Sequence, residues 1–179
     1  MFADNTLTPR EAIRLCALGT LAASAMRYSA LANAIRHFVS RILGPSLDLM
    51  GTSIELLRLE GLVRAADGAG METDAVLEIT DAGRAELRTL LTANIRAAGT
   101  EINKLIVALK FRFLHHLDEG DRRTQVDLLV EACEKELARL EDLRAHHAGD
   151  PGFLALWLDQ DIAALKRRID WLEDFGAKP

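Results

Sequence analysis

The sequence has little that would carry it into a membrane. No run of about 18 uncharged apolar residues occurs, so no transmembrane span is predicted and no membrane partner is expected. Residues 1–9 lack the basic and apolar regions of a signal peptide, and a cytoplasmic location is the expectation. Cysteine is confined to Cys16 and Cys133, far apart, on apolar helical faces and without metal-ligand spacing; both read as buried free thiols in a reducing compartment. No Ser-His-Asp order, glycine-rich phosphate loop or scaffolded pair of catalytic carboxylates is present, so no enzyme and no cofactor is expected. The adjacent histidines His115-His116 and His146-His147 point about 100° apart on a helix and share one ion poorly, so they read as helix-end residues, not metal ligands. Basic charge is scarce too. Residues 1–88 hold nine Arg and no Lys against eleven Asp and Glu, residues 89–179 hold thirteen basic against sixteen acidic, and the net charge is −5. A broadly basic surface is excluded; any contact with a polyanion must be local.

What is there is helical periodicity with one interruption. Thr8-Pro9-Arg10-Glu11 opens a first helix with a capping threonine, a proline at the first helical position and a glutamate three residues after the cap. Ala12, Leu15, Cys16, Gly19 and Ala22 give it a small-residue face on which another helix can pack closely. Ser29 is the next cap candidate, followed by the stripe Leu31, Ile35, Phe38 and Ile42, which Gly44-Pro45 should stop. A third helix is expected from Ser46, with Met50, Ile54 and Leu57 on one face and Gly61 closing it. Two short helices joined by a tight turn make a helix-turn-helix candidate. A strand candidate from Leu62 to Ala66, a Gly-rich turn and a second strand from Ala75 to Ile79 then form a ribbon, with a further helix from Thr80 to about Ala98.

Residues 91–179 are helical by pattern, with stripes through Leu109 and Phe113, through Val126, Cys133 and Leu137, and through Leu158, Ile162, Leu165, Ile169 and Leu172. Three such helices cannot hide every apolar face on one small domain, so a symmetric homodimer is expected, held by Leu109, Phe113, Leu158, Ile162, Leu165, Ile169 and Leu172. The predicted fold class is therefore mainly α: a winged helix-turn-helix domain with a two-stranded wing over residues 1–90, followed by an all-helical dimerisation domain over 91–179.

Leu57, Glu60-Gly61-Leu62-Val63, the ribbon exit Leu77 to Leu87, the run Leu109 to Leu114, Glu134-Lys135-Glu136-Leu137 and the ending Ile169-Asp170-Trp171-Leu172-Glu173 together resemble PadR-type transcriptional regulators over nearly the whole chain. The resemblance implies a dimeric winged-helix repressor that binds a palindromic double-stranded DNA operator and is often released by a small-molecule effector. Ser46 falls on the serine that usually begins the family's recognition helix, whereas Gly51 falls where a DNA-engaging tyrosine is common. The candidate DNA-binding residues are Arg27, Ser29, Arg36, His37 and Arg41 around the second helix, Ser46, Thr52 and Arg58 on the third, and Arg64 at the ribbon start. Asp67, Glu72, Asp74 and Glu78 crowd that ribbon with negative charge, which leaves a winged-helix protein-interaction module as the alternative.

Overall fold

Helix α1, Pro9–Ala23, is the centre of the amino-terminal part. The Thr8 side chain accepts from the Glu11 N–H at 3.3 Å while the Glu11 carboxylate accepts from the Thr8 N–H at 2.7 Å, the reciprocal cap expected from the sequence. Beyond Arg14 the helix carries no charge, and Leu15 through Leu21 are all buried. A helix apolar on every side has to be enclosed on every side. The computed structural model describes residues 6–43, 53–66, 74–95 and 101–178.

Helices α2, Tyr28–Leu43, and α3, Ser53–Leu59, cover α1 with Leu31, Ile35, Val39, Ile54 and Leu57. Gly61 closes α3 at φ 73°: the Leu62 N–H donates to the Leu57 carbonyl (2.8 Å) and the Gly61 N–H to the Arg58 carbonyl (3.0 Å), a Schellman ending. The expected turn at Gly44-Pro45, the cap at Ser46, Met50 and the tip of the ribbon lie outside the described residues.

The two expected strands, β2 (Val63–Ala65) and β3 (Val76–Ile79), pair antiparallel, and β1 (Met26–Arg27) joins them in a three-stranded antiparallel sheet ordered β1-β3-β2. Met26 and Arg27 pair with Leu77 and Val76, an addition two residues long and so too short to leave a periodicity in the sequence. The register puts Met26, Val63, Ala65, Leu77 and Ile79 on one face and Arg27, Arg64, Val76 and Glu78 on the other. Leu77 and Val63 are buried, so the first face is the inner one.

Thr80 caps α4, Asp81–Thr92, accepting from the Gly83 N–H (3.1 Å) and donating to the Gly61 carbonyl (2.8 Å); one hydroxyl ties the end of α3 to the start of α4. The helix stops at Thr92, short of the Ala98 expected, because Ala93 turns to extended backbone (ψ 151°). Lys110 holds that end. Its side chain is fully buried, and Nζ donates to the Leu91 (2.7 Å) and Ala93 (2.6 Å) carbonyls, a cation at the negative end of the helix dipole. Burial lowers its pKa from 10.5 to about 7.

Lys110 belongs to α5, Glu101–Phe113, which packs on α1 and α2 and continues into a 3₁₀ turn at Leu114–His116. A Cβ on Gly19 would lie 2.7 Å from the Phe113 ring, so the small face of α1 is what admits α5. Packing divides the chain into two compact units, Met1–Asn94 with Gly99–Leu117 and Ile95–Ala98 with Asp118–Pro179.

The second unit is a helical hairpin of α6, Glu119–His146, and α7, Leu154–Gly176. Asp118 caps α6 by accepting from the Asp121 N–H at 2.9 Å. Val126, Leu129 and Cys133 on α6 and Leu158, Ile169 and Leu172 on α7 are buried. Arg144 with Asp159 (2.7 Å) and Lys166 with Glu141 (2.7 Å) bridge the two helices at the surface, where solvent screens such pairs and they add little to stability. No described helix is long and apolar enough to cross a membrane.

Candidate nucleic-acid interface

The outward face of α2 carries a run of cations without acidic partners among the described residues. With Leu31, Ile35 and Val39 buried, the 3.6-residue repeat turns Asn33, Arg36, His37, Ser40 and Arg41 away from the core. Arg36, His37 and Arg41 are exposed. Arg36 Nη1 donates to Asn33 Oδ1 (2.9 Å), which fixes its direction, and no ion pair among the described residues engages Arg36, His37 or Arg41. Arg58, half-buried on α3, is likewise outside those pairs, with exposed Glu55 one turn before it.

The other described candidates are already engaged. Ser29 is not the cap of α2 but lies inside it, and its N–H (2.7 Å) and hydroxyl (2.9 Å) both donate to the Asp74 carboxylate. These donors, the backbone one first, hold the Asp74 carboxyl below its usual pKa. Arg27 Nη1 donates to the Asp74 main-chain carbonyl at 3.4 Å. Arg64 Nε donates to Glu78 at 2.6 Å, across directly paired positions of the sheet. Ser46 and Thr52 lie outside the described residues.

Two arginines missed by sequence reasoning tie the helices of this unit together. Arg14 on α1 pairs with Glu60 and, at 3.3 Å, with Glu86, joining the end of α3 to α4. Arg112 on α5 stacks on Phe38 of α2 (4.6 Å to the centroid) and on Phe113 (4.9 Å), with Nη1 3.9 Å from Cys16 Sγ. Cys16 itself is a free, buried thiol, its pKa pushed up to about 11 by desolvation against the opposing effect of Arg112. Cys133 is also free and buried, as expected.

The sequence-predicted dimer residues separate. Leu109 and Phe113 are spent in the core of the first unit, and Leu158, Ile169 and Leu172 are buried within the second. Ile162 and Leu165 are half-buried, while Phe153 is 82% and Trp157 58% exposed. The His115 and His116 ring centroids lie 4.1 Å apart with the planes tilted by 38°, and no group of three or more metal-ligating side chains occurs among the described residues.

A mainly helical chain whose helix pair is backed by a small antiparallel sheet is an arrangement compatible with the winged-helix class of transcription regulators. Residues 2–176 match the family model described as "Putative AphA-like transcriptional regulator", and the chain belongs to that family. No match is found among the curated proteins.

Proposed function

We propose that the protein is a homodimeric winged-helix repressor, PadR-like in organisation, that binds duplex DNA at a palindromic operator. The observation that carries the reading is the cationic face of α2, Arg36, His37 and Arg41, which makes no ion pair among the described residues, on the helix that crosses the sugar-phosphate backbone in helix-turn-helix proteins. Membership of a transcriptional-regulator family supports it. Exposed Phe153, Leu156 and Trp157 near the start of α7, with half-buried Ile162 and Leu165, supply apolar surface for a second copy. A small-molecule effector would act by binding unequally to two separations of the paired heads.

Fluorescence anisotropy on duplexes selected from a random pool tests the reading. Arg36→Glu with Arg41→Glu removes two phosphate contacts and adds repulsion, so affinity should fall by about a hundredfold or more while circular dichroism stays unchanged. Unaltered affinity would remove α2 from the interface. Absence of any salt-sensitive binding by the wild type at micromolar protein would favour the alternative, a protein-interaction module. The engagement of Arg27, Ser29 and Arg64 by acidic residues is the observation on that side.

A further inference from the structure

The outer face of the sheet holds Arg27 and Arg64, the cations nearest the first turn of α2 and the ribbon. Both are answered from one stretch of chain. Glu78 takes Arg64 at 2.6 Å. Asp74, two residues before β3, takes the Ser29 N–H and hydroxyl at 2.7 and 2.9 Å with its carboxylate and Arg27 at 3.4 Å with its carbonyl. Asp74 does so from a left-handed backbone (φ 53°), a conformation that short polar side chains tolerate and most residues do not. The N–H groups opening a helix and the arginines beside it are the groups a duplex phosphate takes up. A carboxylate at hydrogen-bond distance presents the same charge and the same acceptor oxygens.

We infer that Asp74 and Glu78 are built-in competitors for DNA phosphate, their carboxylates occupying Ser29 and Arg64 in the free protein so that a duplex reaching this face has to displace them. The inference rests on the DNA-binding reading above. The competition weakens the sequence-independent part of the affinity, which specific and non-specific complexes share, and leaves base contacts untouched. It also gives the acidic ribbon a purpose within a DNA-binding protein that carries a net charge of −5.

The test is anisotropy with a labelled random-sequence duplex of about 30 base pairs at low and moderate salt, so that phosphate contacts alone are read. Asp74→Asn with Glu78→Gln keeps the shapes, and asparagine tolerates the left-handed backbone, so the fold should survive; thermal melts check this. Glu131→Gln with Glu141→Gln on α6 changes net charge equally at a distance in sequence and serves as the control. The Asp74/Glu78 variant should bind about tenfold tighter than wild type, with a salt dependence steeper by about one to two released ions, and the control should not. Binding by the variant where wild type shows none supports the inference equally. Affinity no higher than that of the control overturns it while leaving the DNA-binding reading in place. If neither wild type nor variant binds any duplex, that reading fails and the inference falls with it.

Discussion

Replacing Lys110 by methionine isolates the consequences of one buried charge. Methionine keeps much of the apolar stem and removes the ammonium that donates to the Leu91 and Ala93 carbonyls. Near pH 7 two effects oppose each other: the variant leaves two carbonyls short of a donor, but it is relieved of a desolvated cation. The pH dependence does not suffer this ambiguity. With a folded pKa of about 7 against 10.5 unfolded, unfolding takes up protons throughout the interval between them, so the lysine's contribution to stability rises with pH there. It is complete above the unfolded value and lost as pH falls through the folded one. Integrating the linkage from about pH 7 to 9 gives about 2 kcal/mol. Urea unfolding of both proteins at several pH values, followed by circular dichroism, should show wild type gaining that much relative to Lys110→Met. Other titrating groups are common to the two and cancel in the difference. A difference constant to within about 0.5 kcal/mol would mean that the amine is not held near neutrality, and the burial argument would be wrong.

Gly19→Ala forces a methyl group against the Phe113 ring and should cost about 1–3 kcal/mol in thermal unfolding; an unchanged melting temperature would show that α5 can retreat freely. Cys16, its pKa raised to about 11 by burial, and Cys133, raised for the same reason, should both resist an aromatic disulfide reagent at pH 8 in the native protein and react fully in urea. A fast native phase would contradict the buried placement. Leu165→Asp, on the half-buried flank of α7, should yield monomers by light scattering, and a variant that stays dimeric would move the proposed interface off this helix.

Local signals were legible and remote ones were not. The Thr8-Pro9-Glu11 box, the Thr80 cap and the Gly61 ending are each decided by groups a few residues apart, and each appears as the sequence implies. Ser29 was misread as a cap because the carboxylate that engages it lies 45 residues further on. Lys110 sits beside Leu109 on an apolar stripe, but lysine defaults to the surface, and nothing in the sequence points to the carbonyls at the end of α4. The same stripe shows that Leu109 and Phe113 lie on a buried face, and in the structure both are buried within the first unit; periodicity reports that a face is buried and not by what. Of the candidate site, α2 could be read from helical spacing. The pairing of Arg64 with Glu78 was available in principle, because strand alternation and a hairpin register put both on one face. The involvement of Arg27 required β1, which is too short to announce itself.

The guanidinium of Arg112 lies over Phe38 on one helix and Phe113 on its own, so α2 and α5 share a single aromatic hinge pin. Neither can roll about its axis without unstacking the other. The pitch of α2 is therefore tied to that of α5, and a substitution at Arg112 would be felt on the outward face of a helix to which it does not belong.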